Sequence, residues 1–176
     1  TGRTCEGRLI QCGVPVEGTI DSIADTDLLN FRVADGEIIR VNVTEPANQP
    51  ANFNPSWRLV DGDGFPAVSC GTFSTVIAGV DCGPLPSSRN PYRIEMQDGT
   101  RNDTGVYQLA YDRLPSHLAC DQAELPCGVT TGGATDSLVD IDLFSFRAPE
   151  GETVRVLVQE LSGGAAYAPN WRLLDA

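Results

Sequence analysis

Four aspartates stand in pairs that suit the binding of a divalent metal ion. Asp25 and Asp27 are two positions apart at the predicted start of a strand, and Asp61 and Asp63 flank a glycine in a predicted tight turn. Residues two apart in a strand project from one face, and Ca²⁺ takes oxygen ligands from carboxylates and carbonyls. We therefore predict a Ca²⁺ site at these four residues. Aspartates at such positions also cap turns, which is the alternative that the sequence leaves open.

A second acidic loop and a single histidine are the other residues that could do chemistry. Asp98 and Asp103 lie in the loop QDGTRNDTG and are a further candidate for Ca²⁺. His117 has neither a second histidine nor a G-x-S-x-G segment with which to form a catalytic triad. Lysine is absent, which excludes Schiff-base and P-loop chemistry. We therefore expect no enzyme activity, and a carboxylate pair among the 24 acidic residues is the alternative.

Two tryptophans stand in matching P-x-W-R-L segments. Trp57 follows Phe53 by four residues, and Trp171 follows Tyr167 by the same distance. A tryptophan at the start of a repeated strand is expected in the core, because an aromatic side chain buries a large apolar area. Stacking of these rings on a sugar is the alternative.

The cysteine content predicts disulfides. None of the six cysteines lies in a CxxC or a zinc-binding pattern; they are Cys5, Cys12, Cys70, Cys82, Cys120 and Cys127. Many pairings are open. Cys120 and Cys127 are the cysteines of a segment that repeats residues 5–45, so the local pair 120–127 is the simplest; 5–12 follows by correspondence and 70–82 remains, each worth roughly 2–3 kcal/mol of stability. Six reduced thiols are the alternative. Disulfides are typical of an oxidising compartment, so we expect an extracellular protein, either secreted or on the cell surface.

Most of these residues recur at a constant distance along the chain. Residues 5–45 align without a gap to residues 120–160 at an offset of 115, so that DSIADTDLLNFRV returns as DSLVDIDLFSFRA. After a one-residue deletion, FNPSWRLVD matches YAPNWRLLD. Residues 62–115 have no second copy in the sequence. A repeat of this length corresponds to a whole small domain.

The repeat predicts one complete unit and the first half of a second. The first unit is residues 1–115, a linker covers residues 116–119, and the second unit is residues 120–176. Either the chain is a piece of a longer tandem array, or a neighbouring chain donates strands that complete the second unit. A half-set of strands buries too little apolar area to be stable without a partner.

The elements that must position these residues are short strands. Apolar residues alternate with polar ones in LLNFRV and EIIRVNV, which predicts strands with one buried face, and the turn ADGE between them predicts a hairpin. Further strands are predicted at residues 19–23, 57–60, 67–70, 72–78, 91–96 and 106–111. Short strands at this spacing, separated by turn sequences, predict an all-β fold, an antiparallel β-sandwich of the jelly-roll type.

Several motifs resemble one known family. The motif G-x-[IT]-D-S-x-x-D-x-D-L-[LF]-x-F, the later WRLVDGDG and the closing DTGVYQLAYDRL are similar to motifs of the bacterial pre-peptidase C-terminal domain family. The resemblance covers nearly all of residues 17–114 and the first half of the motifs in residues 132–176, and the cysteines indicate a cysteine-bearing tandem-repeat variant. It implies a non-catalytic β-sandwich module of a secreted or surface protein, serving as a spacer, a secretion-linked domain or a binding domain.

The charge of the chain argues against two classes of partner. There are 24 acidic residues and 12 basic ones, all of them arginine, which gives a net charge of −12. Such a charge disfavours nucleic acid and anionic membrane surfaces, and no apolar run approaches the length of a membrane helix. Divalent cations are compatible with it, and we expect no cofactor other than Ca²⁺.

Two functions from different classes are consistent with these features. The first is a non-catalytic structural repeat module of a secreted or cell-surface protein, which builds an extracellular stalk or filament through tandem repeats or strand exchange. Its partners are copies of the same repeat. The alternative is a calcium-dependent, carbohydrate-binding or protein-binding accessory domain of a secreted hydrolase. This alternative predicts that Trp57 or Tyr167 is exposed.

Overall fold

The strands account for nearly all of the regular structure. The computed structural model describes residues 7–67, 70, 73–74, 79–114, 120, 122–163 and 167–175. Its strands are β1 (Arg8–Leu9), β2 (Val16–Ile20), β3 (Asp27–Phe31), β4 (Glu37–Thr44), β5 (Pro55–Val60), β6 (Phe73–Ser74), β7 (Val80–Leu85), β8 (Tyr92–Asp98), β9 (Gly105–Leu114), β10 (Gln122–Glu124) and β11 (Leu143–Ser145). One turn of 3-10 helix covers Ser87–Arg89.

Strands β1–β9 form two sheets that pack face to face. The first sheet has the order β1-β3-β8-β5-β6, and the second has the order β2-β9-β4-β7. Neighbouring strands in both are antiparallel, except for the parallel pair β1–β3. The ring centroids of Phe31 on β3 and Tyr111 on β9 are 4.6 Å apart, so the inner faces of the two sheets are in contact. The predicted β-sandwich is confirmed for this part of the chain.

The alternation in the sequence builds the inner faces. On β4, the side chains of Ile39, Val41 and Val43 are buried, while Arg40 and Asn42 between them are half-buried. Successive side chains of a strand point to opposite faces, so the apolar set of β4 lies against the core and the polar set lies outside.

Strands β8 and β9 are interior strands, and each pairs with a neighbouring strand on both sides. β8 pairs with β3 along one edge and with β5 along the other. β9 pairs in the same way with β2 and with β4. Both central strands therefore come from one stretch of chain, residues 92–114, which crosses from the first sheet to the second.

The turn at residues 34–37 connects the two sheets, so the predicted hairpin between β3 and β4 is wrong. β3 belongs to the first sheet and β4 to the second. Gly36 has a φ of +76° and donates its N–H to the carbonyl oxygen of Leu85 at 3.0 Å. Because the apolar sides of β3 and β4 cover the core from opposite directions, the chain crosses between the layers instead of pairing with itself.

The second unit contributes one small sheet among its described residues. β10 and β11 pair in parallel, with Ala123 opposite Phe144. β1 and β3 pair in the same sense, with Arg8 opposite Leu29. The two registers coincide at the offset of 115 residues, so the second unit begins with the same sheet edge as the first.

Candidate functional site

Asp25 and Asp27 lie at the start of β3 and have different partners. Oδ2 of Asp25 accepts the backbone N–H of Asp21 at 2.9 Å, which closes the turn before the strand. Oδ2 of Asp27 accepts the hydroxyl of Tyr107 at 2.8 Å. Asp25 thus caps a turn, and Asp27 holds a side chain that comes from the other sheet.

Asp61 and Asp63 share an arginine. Oδ1 of Asp61 accepts the backbone N–H groups of Asp63 at 3.0 Å and Phe65 at 2.9 Å. Nη1 of Arg89 lies 2.9 Å from Oδ2 of Asp61 and 3.2 Å from Oδ2 of Asp63. A cation of the chain itself therefore neutralises this turn, and it competes with any metal ion for the same oxygens.

Asp98 is buried at the end of β8, where it organises the loop that leads to β9. Its Oδ1 accepts the backbone N–H of Asn54 at 3.0 Å. Its Oδ2 accepts the N–H of Asn102 and the hydroxyl of Thr100, both at 3.0 Å. The N–H of Asp103 is 3.3 Å from the same oxygen. Burial alone would raise the pKa of Asp98, but these hydrogen bonds together lower it below the ordinary value of 3.8.

The structure does not gather the predicted calcium ligands into one cluster. Among the described residues, no group of three or more His, Cys, Asp or Glu side chains could hold a metal ion. Asp25 and Asp27 adjoin the start of β3, and Asp61 and Asp63 follow β5. The Ca²⁺ site at these four residues stays a prediction, and the self-association experiment below includes its test.

Tyr107 reaches from β9 to Asp27 across Gly18. The phenol ring is 1% exposed, and a Cβ on Gly18 would overlap its Cζ and Oη atoms. Burial, followed by the charge of Asp27 and the hydrogen bond to it, raises the pKa of Tyr107 above the ordinary value of 10.0, so the hydroxyl remains a donor. The motifs D-x-D-x-x-x-F and G-x-Y-x-L therefore meet at one hydrogen bond.

The second unit contains counterparts of Gly18 and Asp27, the two residues that contact Tyr107 in the first unit. Asp136 donates its backbone N–H to Oδ2 of Asp140 at 2.7 Å, as the counterpart residues do in the first unit. Oδ2 of Asp142 lies in the space that a Cβ on Gly133 would occupy. The first unit has the same glycine–aspartate pair, with Tyr107 packed against both members.

Apolar side chains of the second unit are exposed where their counterparts in the first unit are buried. Trp171 is 55% exposed and Tyr167 is 40% exposed, against 5% for Trp57 and 4% for Phe53. The same contrast holds for Phe144, Val154, Val158, Leu173 and Leu174. The predicted core position is confirmed for Trp57 and wrong for Trp171, because none of the described strands covers the second ring.

A disulfide joins the two units. Cys12 is bonded to Cys120, with their Cα atoms 5.4 Å apart, and Cys127 is exposed and free. The predicted local pairings 5–12 and 120–127 are therefore wrong. The N–H of Gly13 donates to the carbonyl oxygen of Tyr111 at 2.9 Å, so the last strand of the first unit returns beside Cys12 just before the second unit begins.

Peptide mapping of the unreduced, iodoacetamide-treated protein is expected to find Cys12 joined to Cys120 and Cys70 joined to Cys82. The second pair confirms the predicted local pairing, and both Cα separations, 5.4 and 4.9 Å, are within the disulfide range. Cys127 should carry the alkyl group. A cross-linked 120–127 peptide would contradict the structure, and a reduced, fully alkylated sample is the control. Cys5 lies outside the described residues.

The second unit also contacts the outer face of the second sheet. Nη2 of Arg172 lies 3.0 Å from Oδ2 of Asp81, whose other oxygen is 2.7 Å from Nε of Arg40. Nδ2 of Asn42 donates to the carbonyl oxygen of Val139 at 3.3 Å, and the Val139 side chain is buried. These contacts and the disulfide hold the described parts of the two units together.

Two other expectations concern catalysis and membranes. His117 lies outside the described residues, so the structure adds nothing about its surroundings. Within the described part of the chain, no helix has the length and apolar character needed to cross a membrane.

Comparison with known proteins finds similar solved structures. The pre-peptidase C-terminal domain of collagenase from Bacillus anthracis is 18% identical over 63% of this chain and 99% of that chain, with a TM-score of 0.48. PliG of Salmonella Typhimurium, a periplasmic inhibitor of g-type lysozyme, is 12% identical over 62% of this chain and 99% of that one, with a TM-score of 0.39. PliG of Aeromonas hydrophila is 11% identical over 60% and 93%, with a TM-score of 0.38. No protein-family model matches the sequence, and no curated protein matches it. Likeness at this level is not evidence of a shared function.

Proposed function

We propose that the chain is a non-catalytic structural repeat module of a secreted or cell-surface protein. Its units join in tandem or exchange strands, and they build an extracellular stalk or filament in which the partners are copies of the same repeat. The observation that carries this proposal is the second unit. It begins with the same sheet edge as the first unit, in the same register at an offset of 115 residues, so the chain carries one fold pattern in tandem.

The exposed apolar side chains of the second unit support association with further copies of the repeat. Exposed apolar surface costs about 25 cal/mol per Å² relative to burial. The exposed side chains around Trp171 therefore favour packing against a neighbouring copy.

The disulfides and the charge support an extracellular setting. Cross-links such as Cys12–Cys120 and Cys70–Cys82 persist in oxidising compartments and are rare in reducing ones. A net charge of −12 keeps a long array soluble and limits contacts between neighbouring arrays.

A binding module is the second candidate. The exposed rings of Tyr167 and Trp171 would suit stacking on a sugar or packing against a protein, in an accessory domain of a secreted hydrolase. The buried Trp57 does not take part in such a platform.

Sedimentation velocity over a wide concentration range is expected to show growth from monomers into dimers and larger species. The measurement is made once with Ca²⁺ and once with a chelator. If the growth requires Ca²⁺, the four predicted aspartates would be implicated in the contacts between chains. Trp171→Asp should suppress the growth because it places a charge on the exposed apolar face. Phe65→Asp is the matched control, since Phe65 is 63% exposed in the first unit. A monomer at every concentration would exclude strand exchange between chains. The second candidate would be favoured if the protein binds a soluble polysaccharide and Trp171→Asp abolishes that binding.

A further inference from the structure

We propose that Cys127 is the site of a covalent joint, in which its sulfur forms a disulfide with the first cysteine of a further repeat unit. In a second copy of this chain that cysteine is Cys5, which lies outside the described residues. The inference rests on the proposed function and names the bond that joins one copy of the repeat to another.

The disulfide between the two units shows which cysteines pair across a joint. Cys12 is the second cysteine of the first unit, Cys120 is the first cysteine of the second unit, and the bond between them crosses from unit to unit. At the offset of 115 residues, Cys127 corresponds to Cys12. Cys5 corresponds in the same way to Cys120. The same bond, moved along by one repeat, joins Cys127 to the first cysteine of another unit.

The chain turns at Cys127 as it does at Cys12. Each cysteine is the first residue of a turn whose second residue is a glycine with a positive φ. The φ angle is +71° at Gly13 and +76° at Gly128, in the left-handed region that glycine adopts readily. The two cysteines therefore occupy the same position in the same kind of turn.

Both turns are fixed to their sheets by the same hydrogen bond. In the first unit, the N–H of Ile10 donates to the carbonyl oxygen of Asn30 at 2.9 Å. In the second unit, the N–H of Leu125 donates to the carbonyl oxygen of Ser145 at 2.8 Å. Each donor stands two residues before its cysteine, so the parallel strand pair that begins each unit holds the turn in place. A site that is already ordered loses less conformational entropy when its bond forms.

The thiol of Cys127 is available for this bond. Among the described cysteines, Cys12 is bonded to Cys120 and Cys70 is bonded to Cys82, whereas Cys127 is free and exposed. A free cysteine left over beside disulfides in a secreted protein indicates pairing with another molecule or unit. The cysteine bonded at the equivalent position of the first unit identifies that partner as a cysteine of the same repeat.

The bond forms by thiol–disulfide exchange with a low-molecular-weight disulfide such as oxidised glutathione. The thiolate of Cys127 attacks one sulfur of oxidised glutathione, which forms a mixed disulfide and releases one glutathione thiolate. The thiolate of the partner cysteine then attacks the sulfur of Cys127 and releases the second. Two cysteine thiols have given up two electrons and two protons, and one oxidised glutathione has become two reduced molecules.

Treatment of the 176-residue chain with oxidised glutathione tests the joint. We expect a non-reducing gel to show a ladder of dimers, trimers and longer species, which a reductant collapses to the monomer. Peptide mapping of the dimer should find residue 127 of one chain bonded to residue 5 of another, with the Cys12–Cys120 and Cys70–Cys82 bonds intact. Without the oxidant, Cys127 should remain open to alkylation.

Two single variants give the matched controls. Cys127→Ser and Cys5→Ser each keep one thiol of the joint, so neither variant alone can form the bond. A mixture of the two should form dimers and no longer species, because each chain then carries one half of a single joint. We expect the mixture to cross-link about tenfold faster than either variant alone, because association brings the two matching thiols together. Urea unfolding of each variant before oxidation checks that both are folded like the native chain.

The proposal is overturned if Cys127 remains alkylatable after oxidation, or if residues 5 and 127 pair within one chain. It is overturned equally if Cys5→Ser alone forms dimers as fast as the mixture does, since these would be bonds between two copies of Cys127. Self-association of Cys127→Ser as strong as that of the native chain, with no cross-link in the native chain, would uphold the proposed function and remove the covalent joint. Cross-linking of the native chain, with Cys127→Ser monomeric at every concentration, would uphold the covalent joint and remove strand exchange.

Discussion

Replacing Gly18 with alanine is expected to lower the free energy of unfolding by about 3 kcal/mol. The new methyl group would overlap the phenol ring of Tyr107, which is fully buried. Moving the ring away from the methyl group would strain its hydrogen bond to Asp27, whose charged oxygen accepts the hydroxyl at 2.8 Å. Urea unfolding followed by circular dichroism gives the comparison.

Two further variants separate the cost of the steric overlap from the cost of losing the hydrogen bond. Tyr107→Phe keeps the ring and removes the hydroxyl, so it should cost about 2 kcal/mol and less than the glycine change. Gly132→Ala is the matched control, because a Cβ at that position meets no other atom within 4 Å. If Gly18→Ala is no more destabilising than Gly132→Ala, the close contact between Gly18 and Tyr107 does not exist in solution.

Replacing Asp98 with alanine is expected to lower the free energy of unfolding by about 3 kcal/mol at neutral pH. The change leaves the N–H groups of Asn54, Asn102 and Asp103 without their acceptor at a buried site, and each unsatisfied group costs about 1 kcal/mol or more. Asp63→Ala is the control, since it removes an exposed partner of Arg89 and should cost less than 1 kcal/mol.

The effect of Asp98 should depend on pH in a defined direction. Its pKa is lowered in the folded protein, so its contribution to stability is fully present above the ordinary value of 3.8 and is lost as the pH falls through the lowered pKa. The difference in unfolding free energy between native protein and Asp98→Asn should therefore be constant from pH 7 to pH 5. It should shrink in more acidic solution. A constant difference down to pH 2 would contradict this role.

Local sequence predicts the strands well where one face packs on the core. β4, β5, β8 and β9 all show the alternation that a half-buried strand requires, and all four are present. β7 does not alternate and contains Gly83 and Pro84, and its position depends on pairing with β4. Between residues 67 and 78, where two strands are predicted, the described residues form only β6.

Contacts between residues that are far apart in the sequence could not be predicted from it. A turn sequence with glycine suits a hairpin and a crossing between sheets equally, so ADGE could not reveal that β3 and β4 belong to different layers. The Cys12–Cys120 bond spans 108 residues, and spacing alone favours nearer partners. Asp27 and Tyr107 each lie in a recognisable motif, but the sequence does not show that they touch. The one signal of this contact is the glycine that recurs at positions 18 and 133.

Mechanical tension along the chain can pass through the Cys12–Cys120 bond instead of through the strands. Strands β2–β9 all lie between the two cysteines, inside a covalent loop. A pull applied to the chain before Cys12 and after Cys120 would pass through the sulfur–sulfur bond and leave these strands unloaded. A stalk made of such units would keep its length under forces that extend an ordinary β-sandwich. Reduction of this single bond would place the sandwich directly in the line of force.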